Sequence, residues 1–181
     1  MSNQQEEALQ IRKCRESDIV SAGEFYDRIV RWLTEHINYP RWVYGEYPSE
    51  AYVREKTKNG EQYLCVVGNR IIGAFALDRE TSSWFHNGCW SRKLEEDAYL
   101  VLHAFAVDLG MQRQGVGSKI LRSCVETAQS EGNKAIRLDI VSDNLPSRRF
   151  FEKNGFTFAG ETEPGPELKD IPAFSLYERN W

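Results

Sequence analysis

Residues 112–117 read Gln-Arg-Gln-Gly-Val-Gly (QRQGVG), and they separate two kinds of hydrophobic periodicity. Before them, Tyr99–Val107 (YLVLHAFAV) is a nearly continuous apolar run, as expected for a strand near the centre of a sheet. After them, Ile120, Leu121, Cys124, Val125 and Ala128 recur at helical spacing, and Gly132 supplies a stop. The stretch is therefore a strand-to-helix turn. Between Asp108 and Glu126 there is no acidic residue, yet Arg113, Lys119 and Arg122 fall in that window of a chain whose formal net charge is −4. Unpaired N–H groups, a helix dipole worth roughly half a positive charge, and local cations together suit a phosphate. Gly115 and Gly117 lack Cβ, so the backbone can turn sharply and approach a diphosphate. The three-glycine dinucleotide fingerprint and the Gly-Lys-Ser/Thr phosphate loop are both absent.

On the C-terminal side, Ile136, Leu138 and Ile140 alternate with Arg137 and Asp139 and predict a strand. Asn144 caps a further helix that tolerates Pro146 in its first turn and ends at Gly155. Residues 156–159 and 173–178 supply closing strands. On the N-terminal side, residues 11–14 form a short strand, Ser17 and Asp18 are helix caps, and Ala22, Phe25, Tyr26, Ile29, Val30 and Leu33 line one helix face. Residues 36–48 (HINYPRWVYGEYP) are broken by two prolines and a glycine into an aromatic loop, with a short helix after Ser49. Residues 63–67 and 71–77 read as a hairpin about Gly68-Asn69-Arg70. Residues 81–97, with Trp84, Phe85, His86 and Trp90, are an irregular connection. The order predicts an α/β sandwich, an α+β layering with a mixed sheet flanked by helices.

At 181 residues the chain is expected to be a single domain over residues 1–181, with residues 1–10 a flexible tail. A composition 41% hydrophobic and 28% charged is that of a globular chain. A sequence pI near 5.5 argues against a nucleic-acid partner, which wants a broad basic field. Cys14, Cys65, Cys89 and Cys124 have neither disulfide-framework nor zinc-ligand spacing, so free thiols and no metal are expected. No apolar run approaches 18 residues, which predicts no membrane partner and a cytoplasmic location.

Gln112-x-x-Gly115-x-Gly117, then a helix, a strand, Asn144 and the segment Phe150-Phe151-Glu152-Lys153-Asn154-Gly155-Phe156 together resemble the GNAT superfamily, the GCN5-related N-acetyltransferases. The likeness is strong over residues 99–160; before them only the element order matches. It implies the acyl-CoA N-acyltransferase fold, with a mostly antiparallel sheet and one splayed parallel strand pair. It also implies acetyl-CoA as acyl donor, with Phe105, Ala106 and Val107 pairing with the pantetheine arm. The pyrophosphate would lie on the amides of Gln112, Arg113, Gln114, Gly115, Val116, Gly117 and Ser118, with Asn144, Ser147 and Phe151 beside the cofactor. The activity implied is direct acetyl transfer to a primary amine of a small molecule or a protein N-terminus.

Phe151 stands where the family often has a tyrosine that protonates the departing thiolate. Tyr177, Ser147 or water are the substitutes, and the missing hydroxyl motivates an alternative function as a CoA-binding sensor or interaction module without turnover. A preference for a longer acyl group is a third reading. His103, on the central strand and nominally on one face with Phe105 and Val107, is the candidate base. Cys124 is expected to be an inert core thiol and His86 a solvated loop residue. The aromatic loop and residues 84–90 are candidates for the acceptor pocket, and Glu46, Glu50, Glu95, Glu96 and Asp97 are carboxylates available to a cationic amine. The chain is expected to be a monomer or a homodimer, the latter through an exposed final strand.

Overall fold

The computed structural model describes residues 8–165 and 168–181. Of the expected tail, residues 1–7 lie outside the described residues, and Gln10 is already paired in the first strand. Seven described strands form one sheet: β1 (Gln10–Lys13), β2 (Gln62–Val67), β3 (Arg70–Asp78), β4 (Tyr99–Val107), β5 (Ala135–Val141), β6 (Thr157–Thr162) and β7 (Phe174–Asn180). Their order across the sheet is β1-β2-β3-β4-β5-β7-β6, antiparallel everywhere except between β4 and β5. Four described α-helices accompany them: α1 (Ile19–Glu35), α2 (Glu50–Lys58), α3 (Val116–Ser130) and α4 (Leu145–Lys153).

Amphipathic stripes decide which face each helix covers. Ile120, Leu121, Cys124 and Val125 of α3 and Phe151 of α4 are buried with Tyr63, Phe75, Leu100, Leu102 and Leu138 on one side of the sheet. On the other side, Phe25, Tyr26 and Ile29 of α1 and Val53 of α2 cover Leu64, Val66, Ala74 and Ala106. Among the described residues no α-helix covers that face over β5, β7 and β6; the connection between β3 and β4, with a 3-10 turn at Ser83–Asn87, does so through Trp84, Phe85 and Trp90 packed with Val101, Ala159 and Leu176. Each large apolar side chain buried this way contributes roughly 1.5–3 kcal/mol of transfer free energy.

The parallel pair is short. β4 and β5 are in register only at Tyr99↔Ala135, Leu100↔Ile136 and Val101↔Arg137. Beyond Val101 they diverge, so the β5-facing edge of β4 from Leu102 to Val107 has no strand partner among the described residues, while β5 stays paired with β7 along its length. The splayed pair is thus present.

Within β4 the expected alternation breaks. Ala74 pairs with Ala106 and Ala76 with His103, so Phe75 faces two residues, Ala104 and Phe105, and Ala104 adopts φ +48°. This bulge corrects the expectation that His103 shares a face with Phe105 and Val107. Phe105 and Val107 pack toward α3 and α4, whereas His103 and Ala104 turn to the α1–α2 side. The freed carbonyls are satisfied from elsewhere: Tyr26 Oη donates to Ala104 O (2.9 Å) and Gln62 Nε2 to Phe75 O (3.0 Å).

Two further expectations are corrected. Asp18 makes no side-chain cap on α1, because its carboxylate is taken by Arg12 (2.6 Å) and the Arg15 N–H (2.8 Å). The final strand β7 is not an exposed edge, since β5 and β6 pair with it on both sides; the edges are β1 and β6. Among the described residues no helix is long and apolar enough to cross a membrane.

Candidate active site

The turn after β4 is pinned at its start. Asp108 Oδ1 accepts from the Gly110 N–H (3.0 Å) and from Arg70 Nη2 (2.9 Å), holding a 3-10 turn at Leu109–Met111. Arg113 (φ +61°) and Gly115 (φ +77°) then adopt left-handed conformations, and α3 opens at Val116 with Gly115 as its cap residue. No backbone N–H from Gln112 to Ser118 donates to another described residue, so seven consecutive amides, including the helix N-terminus, are available together. Arg113 and Lys119 are exposed, and neither joins a salt bridge among the described residues. A Cβ on Gly117 would stand 3.2 Å from the Phe150 ring and 3.6 Å from Val107 Cγ2, so any larger side chain must grow into the cradle or displace Phe150. Free N–H groups at a helix N-terminus beside two exposed cations can accept an anion.

The cleft between β4 and β5 opens directly beside that turn. On the α3–α4 side its wall is aromatic: the ring centroid of Phe105 lies 5.7 Å from Phe150 and 5.8 Å from Phe151. Phe151 is buried edge-on against Phe156 as well and brings no hydroxyl to the cleft. Asn144, three residues past β5, caps α4 by accepting from the Ser147 N–H (3.2 Å). Phe105, Ala106 and Val107 therefore lie on β4, residues 112–118 in the turn and first residues of α3, Asn144 between β5 and α4, and Ser147 and Phe151 on α4.

Tyr177 lies elsewhere. It is fully buried on β7, its hydroxyl donating to Glu152 Oε1 (2.6 Å) and accepting from Arg148 Nε (3.1 Å). None of its hydrogen bonds reaches β4.

On the opposite face, the cleft mouth carries ionisable groups. His103, two residues past the last β4–β5 pair, holds Nε2 3.1 Å from Asp78 Oδ1 and 3.2 Å from the Glu80 carbonyl. Burial pulls the His103 pKa down, but the hydrogen bond and charge of Asp78, with the charge of Asp139, outweigh it and hold the imidazole above its ordinary range. The other Asp78 oxygen lies 2.8 Å from Lys56 Nζ, which also reaches Glu80 (2.6 Å). Across the mouth, Asp139 is likewise two residues past the pairing, and its Oδ2 accepts from Trp84 Nε1 (2.7 Å). Burial pushes the Asp139 carboxyl up, partly offset by Trp84 and by His103. The aromatic loop borders the same space: burial and then the charge of Asp139 hold the Tyr47 hydroxyl above its usual range, and Tyr47 packs edge-on against Trp42 and Tyr52. Arg41 ties this loop to Asp143, the residue before Asn144.

Asp78, Lys56 and Asp139 are not among the candidate site residues that the sequence points to. In sequence Asp139 is only one of the polar residues alternating with Ile136, Leu138 and Ile140, and only the β4–β5 register brings it opposite His103. Glu46, Glu50, Glu95, Glu96 and Asp97 are exposed, with Glu50 paired to Arg54 on its own helix. His86 is exposed, while Cys124 is fully buried and burial raises its thiol well above the usual range.

The model of the acetyltransferase (GNAT) family matches residues 28–156. An uncharacterized N-acetyltransferase of Methanocaldococcus jannaschii is 20% identical over 150 residues, which cover 81% of this chain and 59% of that protein. The chain thus spans about three fifths of the length of this curated relative. Among solved structures, a GNAT-family acetyltransferase of Streptococcus agalactiae superposes with a TM-score of 0.80 at 15% identity, covering 97% of both chains. N-acetylglutamate synthase of Neisseria gonorrhoeae, solved with coenzyme A and N-acetyl-glutamate, superposes with a TM-score of 0.63 at 18% identity, covering 96% of this chain and 35% of that one.

Proposed function

The chain belongs to the acetyltransferase (GNAT) family, and on that premise we propose that it transfers an acetyl group from acetyl-CoA to a primary amine of a small molecule or a protein N-terminus. The observation that carries this reading is the junction of two features: seven unpaired amides at the 112–118 turn, and a cleft opening beside it where β4 and β5 separate after Val101. The amides and the α3 dipole suit the pyrophosphate, the unpaired edge of β4 suits the amide-bearing arm, and the walls of Phe105, Phe150 and Phe151 exclude water. The presence of coenzyme A in the Neisseria enzyme of the same fold supports that assignment.

When bound, acetyl-CoA supplies an activated thioester carbonyl. The chain's own groups do the rest. An amine arrives at the mouth as an ammonium ion and must lose a proton before its nitrogen can attack. His103 takes that proton, and Asp139, with one oxygen held by Trp84, offers the other to the incoming cation. Phe151 has no proton to give, so the CoA thiolate leaves without a side-chain acid, a modest demand for a group whose thiol pKa resembles that of a free cysteine at about 8.5. Single-domain organisation over residues 1–181 and a monomeric or homodimeric state belong to the same proposal.

The test is acetyl transfer itself. Incubation with acetyl-CoA and a panel of primary amines and N-terminal peptides is expected to release thiol and yield an acetylated product 42 Da heavier (about the mass of a ketene unit, the net gain on any N-acetylation). Thiol release no faster than without protein, across the whole panel, contradicts the assignment.

A further inference from the structure

Resting on the reading of His103 as the base, we propose that Lys56, Asp78 and His103 form a buried relay in which Asp78 is a positioning residue, fixing the imidazole as its Nε2–H tautomer so that Nδ1 alone meets the acceptor amine. The three residues come from α2, β3 and β4. His103 Nε2 lies within hydrogen-bond distance of two acceptors, Asp78 Oδ1 and the Glu80 carbonyl, and neither can donate to it when Asp78 is ionised. The proton of a neutral His103 therefore belongs on Nε2. No described residue hydrogen-bonds Nδ1, and the side chain is 19% exposed, enough for a ligand to reach it.

Lys56 sets the strength of the base. Its side chain is 5% exposed and that of Asp78 1%, so the pair acts with little solvent screening. Asp78 from β3 and Asp139 from β5 are the charges bearing directly on His103; behind Asp78 stands Lys56 from α2 with its other carboxylate partners Glu61 and Glu80, and the Tyr47 and Tyr52 hydroxyls lie beyond. Asp78 and Asp139 favour the imidazolium, and Lys56 opposes it. The balance lets His103 accept a proton from the amine and then lose it to solvent.

The relay makes paired predictions of opposite sign. In Asp78→Asn, the largest counterweight to burial is gone and only Asp139 and the Glu80 carbonyl still oppose it, so the acid limb of kcat/KM moves by about one pH unit or more to lower pH, with a lower plateau. In Lys56→Met, the opposing charge is gone and the limb moves to higher pH. A purely structural role moves neither limb in a charge-dependent direction. Because either variant can lose its fold, nitrogen-15 NMR of the unaltered protein supplies a second reading, with the three histidines assigned through His103→Gln. The expected result at pH above the titration is Nε2 protonated and Nδ1 bare. An Nδ1–H tautomer, or a limb unmoved in folded Asp78→Asn, overturns the relay. A protein that transfers acetyl to no amine refutes the parent reading, and the catalytic role of the relay with it, whatever tautomer is found.

Discussion

His103 shows how one side chain depends on others far along the chain. Ala104, the next residue, sits at φ +48°, a conformation costing an L-residue roughly 1–2 kcal/mol, and the carbonyl this frees is held by Tyr26 of α1. Tyr26→Phe keeps the packing and removes that bond, leaving a buried acceptor unpaired. It is expected to lower unfolding free energy by about 1–3 kcal/mol in urea titrations and to slow acetyl transfer more than stability alone explains. An effect on stability with unchanged turnover of the folded variant removes the bulge from the mechanism. His103→Gln keeps a polar side chain without a base, and a loss of about 10²–10⁴ in kcat/KM is expected with acetyl-CoA affinity unchanged. A loss of less than tenfold assigns proton removal to another group. Neither residue's partner was legible in the sequence. Nothing in Leu102-His103-Ala104-Phe105 announces a left-handed residue, since the usual signal is a glycine, and the groups that stabilise it lie at positions 26 and 62.

At the scale of the element, the turn from β4 to α3 was readable because its requirements are local. A left-handed cap and a close approach both call for glycine, and Gly115 and Gly117 stand at those two places. They fail differently when changed. Gly115 has open space around its missing Cβ, so Gly115→Ala is opposed by its φ of +77° and costs roughly 1–2 kcal/mol of stability. Gly117 lies inside α3 with a tolerant backbone, so Gly117→Ala keeps stability near its original value while crowding Phe150 and weakening acetyl-CoA binding. Equal effects of the two substitutions on stability and binding contradict this division. The elements beyond the turn were legible by periodicity, with ends displaced by a residue or more: β6 runs to Thr162 rather than 159, and β7 to Asn180 rather than 178. The divergence of β4 from β5 could come only through the family resemblance, because no pattern within either strand records where pairing with the other stops.

For the whole molecule, the charge layout sets both stability and use. The folded pKa of His103 lies above its unfolded value near 6.5, so its contribution to stability is fully present below that value and is lost as pH rises through the folded pKa. Asp18 is lowered by the hydrogen bond from Arg12, and Asp78, despite burial, by His103 and Lys56; their contributions are present above about 3.9 and are lost as pH falls through the folded values. Melting temperature is therefore expected to fall on both sides of a mildly acidic maximum, and His103→Gln is expected to flatten the alkaline side. An alkaline decline unchanged in that variant places its origin in other groups. Ligand binding reports on the same fold: acetyl-CoA at a hundred times its Kd adds about 2.7 kcal/mol, some 5–11 °C in melting temperature for a chain of this size. Whether the 112–118 turn and the cleft beside it form an acetyl-CoA site is decided by calorimetric titration of the protein and of Gly117→Trp with acetyl-CoA. Saturable one-to-one binding by the original chain, abolished in a variant that keeps its circular dichroism spectrum, is the predicted result; absence of binding to the folded original chain contradicts it.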